Sequence, residues 1–315
     1  MSNTPLSARF SRTVRERAKK VLRKTFEAGQ PLGLDILPRH FYSEIPDIRE
    51  LRKTAAWRKP FSMTGIPADI ACQLACVDSV TRAYRGQLKT LDVLKTARET
   101  NATDQGFGPV DAEFLYCVIR YFQPPTIVQI GCGVSTAICL RAAEHQDYRP
   151  AIICIEPYPT RYLEKSAAAG EIRLIPKKLQ DVYVECAGLV SGNDLLFVDS
   201  THTLGPAGEV SRIILEILPR LQENVLVHFH DIWFPYDYGP DILGGALCFQ
   251  HETALLYAFL CMNARYRIQA SLSLLHHHAT EELRRCLPTY VPASFVDGLY
   301  NGGSGVYPSS IYLRS

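Results

Sequence analysis

No two of the ten cysteines in this 315-residue chain (72, 76, 117, 132, 139, 154, 186, 248, 261 and 286) stand in CxxC spacing. That argues against a thiolate zinc site. Most sit in apolar surroundings, such as Cys117 in "FLYCVI" and Cys154 in "AIICIEP", and read as small buried hydrophobes in a reducing compartment. Also missing is any apolar run near the roughly 20 residues that cross a bilayer. The first residues lack the apolar core of a secretory signal, which predicts a cytoplasmic chain with no stable membrane association. Internal repeats and low-complexity tracts are absent. Past the first 28 residues there is no basic patch with interleaved aromatics, so nucleic acid is not an expected partner.

What is present describes an ordinary globular protein with a sizeable core: 47% hydrophobic and 21% charged residues, net charge +2. Charge is uneven, because residues 1–28 carry eight Lys and Arg against two Glu. Within them Phe10, Val14, Ala18, Val21 and Leu22 recur at helical spacing, which predicts a solvated helix packed on the body by one apolar stripe. The alternatives are a membrane-surface, nucleic-acid or transit role.

From about residue 126 short apolar runs alternate with helical patterns. The runs are 126–130, 151–156, 172–176, 194–199 and 225–230, and helices are expected near 134–146, 159–169, 180–189 and 207–218. This is a βαβ series, hence a doubly wound, mostly parallel sheet covered on both faces. A helix near 251–263 follows, then "YRIQASLSLL" (266–275) and "SSIYLR" (309–314), read as an antiparallel pair closing the sheet edge and bringing it to seven strands. Residues 1–100 are mostly helical and are expected to form an N-terminal cap or lid over a domain at 101–315. "HHH" at 276–278 reads as an incidental loop.

In such a sheet the ligand binds beyond the carboxyl ends of the strands, beside the first strand. That strand runs into "GCGVST" (131–136), where Gly131 and Gly133 permit a tight turn and close backbone approach. Ser135 and Thr136 fall in the first helical turn, whose free N–H groups favour an anionic group. A dinucleotide fingerprint asks for a third glycine where Thr136 stands, which disfavours a nicotinamide dehydrogenase. Glu156 ends the second strand, placed to accept from both hydroxyls of a ribose. Asp181 in "LQDV" could accept from an adenine amino group. The pocket therefore suits an adenosine with an anionic tail and no phosphate cradle, which is the shape of S-adenosylmethionine (SAM).

"VQIGCGVSTA", "IEPYP", "LLFVDSTH", "ILPRL" and "VLVHFHDIWFPYDY", in this order, resemble a bacterial family of class I SAM-dependent methyltransferases. "FYSEIPD" (41–47) and "GFGPVDAEFLY" (106–116) resemble its FYSPIPD-like and GYGPVDA-like segments, so the likeness runs over most of residues 38–275. It implies a Rossmann-like fold, SAM as cofactor, and a cofactor site lined by Gly131, Gly133, Ser135, Glu156 and Asp181. Gln129 stands where the family has an acid facing the methionine ammonium, and Cys132 where it has a small residue.

Asp199, with His202 after it, ends the fourth strand; His230 and Asp231 end the fifth. Strands lie about 5 Å apart, so these four could converge beside the transferable methyl group, with Asp199 reaching the cofactor as well. Two roles compete: metal-free acid–base work by His202 or His230, or a divalent metal on Asp199, His202, His230 and Asp231 that acidifies a substrate hydroxyl. The structural alternative is a hydrogen-bonded strand end. His228, two residues deeper, reads as a satisfied core histidine. Phe41 and Tyr42 from the cap, Trp233 and Tyr236 from the aromatic run, and Glu252 are the expected substrate contacts. The sequence thus predicts methyl transfer to an O or N nucleophile of a small molecule, in a chain that could form a homo-oligomer. The rivals are a SAM-binding enzyme that alkylates the cofactor's own side chain, with or without a metal, and a non-catalytic SAM-binding module.

Overall fold

β-branched and aliphatic runs make the strands, and their alternation decides which layer each side chain joins. In a computed structural model that describes residues 12–102, 106–144, 148–206, 208–244, 248–302 and 304–315, β1 (Thr126–Ile130), β2 (Ala151–Ile155), β3 (Arg173–Ile175), β4 (Leu195–Val198) and β5 (Leu226–Phe229) are parallel. The strand β7 (Ile311–Arg314) runs antiparallel beside β5 and is itself paired antiparallel with β6 (Arg267–Ser271). The sheet order is 3-2-1-4-5-7-6. Ile127, Leu195 and Phe197 pack into one layer, and Val128, Ile130, Leu196 and Val198 into the other. Burial on both faces is why these strands read as nearly continuous apolar runs.

The expected helices form at Val134–Glu144, Arg161–Ala168, Leu179–Gly188 and Glu252–Leu260. Two segments differ from expectation. The run 207–218 is one turn of α-helix (Val210–Arg212), a wide π turn (Ile213–Ile217) and a 3₁₀ turn (Leu218–Arg220). Pro219 has no N–H for the carbonyl four residues back, so regular helix cannot continue through it. "YRIQASLSLL" is half strand and half helix: the Ser271 hydroxyl accepts from Leu274 N–H and starts Leu272–His278. The three histidines at 276–278 are therefore helical, not a loop. His276 is buried and bonded to the Tyr290 hydroxyl, and His277 Nε2 lies 3.0 Å from the Tyr307 hydroxyl.

The chain divides into two units, Met1–Leu51 and Arg52–Ser315, so the division falls well before residue 100. The reason is buried apolar surface. Val77, Val80, Leu88, Val93, Leu94 and Ala97 all lie in the core of the sheet unit. Helix Ile70–Thr81 packs on β6, and helix Val93–Asn101 packs on Val134–Glu144 and Arg161–Ala168. In the first unit, helix Arg12–Gly29 is exposed along its described length apart from Leu22, Phe26 and Gly29, and Val21 is 63% exposed. Phe10 lies outside the described residues. Among the described residues no helix is long and apolar enough to cross a membrane.

Candidate functional site

Gly131 has φ +78°, and a Cβ there would stand 1.8 Å from the Asp199 carbonyl oxygen. Only glycine allows β1 and β4 to come this close at their ends, and the approach opens a cleft where the strand order reverses. One cavity of about 290 Å³ is lined by Asn101, Gly106, Phe107, Gly131, Cys132, Gly133, Val134, Ser135, Glu156 and Asp199. A second, about 230 Å³, shares Gly131, Glu156 and Asp199 and adds Leu179, Ser200, Thr201 and Glu209 among others. Glu156 is anchored from behind: its two oxygens accept from Cys132 N–H (3.3 Å) and Tyr158 N–H (2.9 Å). Each oxygen keeps a lone pair for a ligand.

Two expected cofactor contacts lie elsewhere. The Gln129 side chain is fully buried and lines neither cavity; its Oε1 accepts from the Thr136 hydroxyl at 2.7 Å. It thereby ties β1 to the helix that follows the glycine turn. Asp181 is exposed on the first turn of Leu179–Gly188 and lines neither cavity, whereas Leu179 does.

The four strand-end residues do meet. Asp199 Oδ1 is 3.3 Å from His202 Nε2 and 3.7 Å from His230 Nδ1. Asp231 is 3.4 Å from His230 Nδ1 through one oxygen and 3.7 Å from His202 Nε2 through the other. Buried Glu252 grips His202 Nδ1 at 2.7 Å, and the His202 carbonyl accepts from the N–H groups of His251 and Glu252. Glu252 is thus a support for His202 through one oxygen, and its other oxygen has no partner among the described residues. The backbone is strained where the cluster forms: His202 and Asp231 both have φ +59°, and Phe107, whose ring stacks on His230 at 4.4 Å, has φ +44°.

These contacts decide protonation. Burial works against charged imidazoles, but Asp199 and Glu252 hold the His202 proton up to about 11, and Asp231 and Asp199 hold that of His230 up to about 10. Burial alone would raise the Asp199 carboxyl, yet the two imidazoliums beside it keep it far below its ordinary value. Both shifts favour the protonated imidazole, the form that has no lone pair with which to accept a proton. His228 is the opposite case. Burial, together with the charge on His230, pushes it well down, and it stacks on Tyr312 at 4.3 Å with Nε2 2.9 Å from the Ser310 hydroxyl.

Among the described residues no group of three or more His, Cys, Asp or Glu is placed to hold a metal ion. Asp231 and Trp233 line a further cavity of about 250 Å³ with Gly239, Asp241, Ile242, Cys248 and Gln250. Tyr236 does not line it; its ring packs on Tyr238 and His277. Phe41 and Tyr42, in the first unit, are 93% and 83% exposed and pack on each other.

Sequence reasoning missed Asn101, Phe107 and Asp111. Buried Asp111 accepts through Oδ1 from Ser309 N–H (3.1 Å) and Ser310 N–H (2.8 Å), and the Ser309 hydroxyl donates to Asp231 at 2.9 Å. The "GFGPVDA" stretch carried two of the three, but no spacing rule links it to the strand ends.

A family model described as a methyltransferase domain matches residues 128–232, the segment from β1 to just past β5. An uncharacterised protein of Archaeoglobus fulgidus is 26% identical over 189 residues, covering 56% of this chain and 83% of its own. Two solved structures are similar. One is the O-methyltransferase TomG of Streptomyces achromogenes, involved in tomaymycin synthesis and in complex with SAM (14% identity, 76% of this chain and 97% of that one, TM-score 0.43). The other is an O-methyltransferase of Bacillus cereus in complex with S-adenosylhomocysteine, SAH (11%, 76% and 99%, TM-score 0.46).

Proposed function

We propose that this chain, whose residues 128–232 carry the methyltransferase-domain match, transfers a methyl group from SAM to an oxygen or nitrogen of a small molecule. The observation that carries the reading is the double position of Asp199. It lines the cleft at the glycine turn and is also the carboxylate between His202 and His230. Ligand cleft and reactive cluster are therefore continuous.

The residues fit SAM. Gly131 and Gly133 admit a ligand against the backbone, Val134 and Ser135 begin a helix ahead of the first N–H groups that the Gly133 carbonyl takes, and Glu156 offers lone pairs to a ribose. Leu179 gives the second cavity an apolar wall for a base. Bound SAM would supply an electrophilic methyl whose departing electron pair stays on sulfur. The chain supplies position, exclusion of water and a destination for the acceptor's proton. His202 and His230 are already protonated, so that destination is a carboxylate. Asp231 is the candidate, because it faces the neighbouring cavity where Trp233 and Gln250 could hold an acceptor. His230 and the Ser309 hydroxyl keep its carboxylate turned into the cluster.

Calorimetry with SAM, SAH and NAD tests the cofactor, and preferential NAD binding would sink the reading. Product masses test the chemistry: methyl transfer yields SAH, whereas alkylation of the cofactor's own side chain does not.

A further inference from the structure

We propose that Asn101 binds the carboxylate of the cofactor's methionine moiety, an inference that rests on the reading of the cleft as a SAM site. Asn101 ends helix Val93–Asn101, which Ala102 stops in the left-handed conformation (φ +52°). It lies outside the segment the methyltransferase family model matches, residues 128–232. The residue is 5% exposed and lines the cleft beside Gly133 and Ser135.

The orientation of its amide follows from the neighbouring helix. Thr160 is the N-cap of Arg161–Ala168, and its hydroxyl oxygen accepts from Leu163 N–H at 3.4 Å. The hydroxyl hydrogen is thereby left to donate, and Asn101 Oδ1 receives it at 2.8 Å. That identifies the oxygen end of an amide whose two ends otherwise look alike. The nitrogen must then face the other way. Nδ2 lies 3.2 Å from the position a Cβ on Gly133 would occupy, against the turn itself. Among the described residues no acceptor pairs with Nδ2. The N–H₂ therefore keeps its donors for an acceptor in the cleft that Asn101 lines.

The charge pattern of the cleft selects which part of the ligand does so. Its carboxylates are Glu156 and Asp199, which repel an anion and suit hydroxyls or an ammonium. Uncommitted donors gather at the opposite character of site: the Asn101 amide and the N–H groups of Val134 and Ser135 at the start of helix Val134–Glu144, those of Thr136 and Ala137 being taken by the Gly133 carbonyl; this is an end that favours negative charge. A carboxylate is the anionic group SAM carries, and it belongs there.

The test compares SAH with 5′-methylthioadenosine, which keeps the adenosine and the sulfur but lacks the amino-acid tail. Dissociation constants are measured by calorimetry on the full chain and on Asn101→Asp and Asn101→Ala, with melting curves to check folding. Asn101→Asp keeps the acceptor for Thr160 while opposing a carboxylate with a carboxylate. It should weaken SAH about tenfold or more and leave methylthioadenosine within about twofold, since hydrogen bonds to charged groups are the strong ones. Asn101→Ala should shift the two ligands in the same unequal way by a smaller factor. Equal losses for both ligands, or unchanged SAH affinity, would overturn the assignment while leaving the SAM reading standing. A wild-type chain that binds neither ligand overturns both. Should the variants fail to fold, the side-chain amide resonance of Asn101 in the asparagine-labelled wild type decides. It must move on adding SAH and stay put on adding methylthioadenosine; the same movement with both ligands refutes the proposal.

Discussion

The glycine turn that ends β1 and the histidine–carboxylate cluster that ends β4 and β5 adjoin each other, yet they are built by opposite means. The turn is made of backbone: a glycine at positive φ, helix N–H groups, and a carboxylate anchored by two main-chain amides. The cluster is made of side-chain charge, held by Glu252 below His202 and by Asp111, through Ser309, behind Asp231. A backbone site leaves its mark on sequence, because few residues can replace glycine where φ is positive and space is gone. A charge cluster leaves residue types but not their protonation. His228 and His230 show this on a single strand. Two residues apart, one is held neutral by burial and the other is held charged by two carboxylates.

Breaking the backbone half should have the largest effect. Gly131→Ala drives a Cβ into the Asp199 carbonyl at positive φ, and a loss of about 3 kcal/mol or more in stability is expected from clash and strain together. Urea unfolding measures it; a variant as stable as wild type would show that the strands need not approach so closely.

Breaking the charged half at its acceptor side should cost activity and not binding. Asp231→Asn is expected to lower turnover by about 100-fold, the low end for a proton-transfer group, with SAH affinity nearly unchanged. Near-normal turnover would remove Asp231 from the chemistry.

The contrast within β5 sharpens when one substitution is placed at both positions. His228→Phe keeps the stack on Tyr312 and loses only the Ser310 hydrogen bond, so a cost of about 1 kcal/mol and normal turnover are expected. His230→Phe removes the counter-charge between Asp199 and Asp231. It should destabilise more, by about 3 kcal/mol, and abolish turnover. Similar outcomes at the two positions would erase the distinction.

The last contrast is in melting temperature against pH. A histidine proton held more tightly in the folded state adds stability that is complete below the ordinary value of 6.5 and is lost as pH rises through about 10 for His230 and 11 for His202. Asp199, held low, adds stability present above its ordinary value and lost in acid. The melting temperature should therefore hold between about pH 4 and 6.5 and decline from there towards pH 10, with a shallower decline in His230→Phe. A flat profile to pH 10 would mean that the rings carry no extra proton.

Much of this was legible in the chain. β1 to β5 and the glycine turn follow from apolar runs and their spacing, and Asp199, His202, His230 and Asp231 converge because strand ends in a parallel sheet are neighbours. Side-chain direction was harder to read. Gln129 sits on the strand that runs into the cleft, yet it turns beneath the helix to meet Thr136, a contact seven residues away that only the packed turn creates. Asp181 faces solvent because the buried Leu179, two residues earlier on the same turn, takes the cleft side. The division at residue 51 was hidden for a related reason. Helices 70–81 and 93–101 look in sequence like those of a separate cap, and only their buried faces reveal that they belong to the sheet.

The central claim is that a permanently charged histidine pair, and not a histidine base, stands beside the cofactor cleft. Nitrogen-detected spectra of the histidine rings between pH 6 and 9, assigned with His202→Gln and His230→Gln, test it directly. The rings of His202 and His230 should stay doubly protonated throughout, with His228 neutral throughout. A ring at 202 or 230 that titrates near 6.5 would contradict the account and return the proton-acceptor role to that histidine.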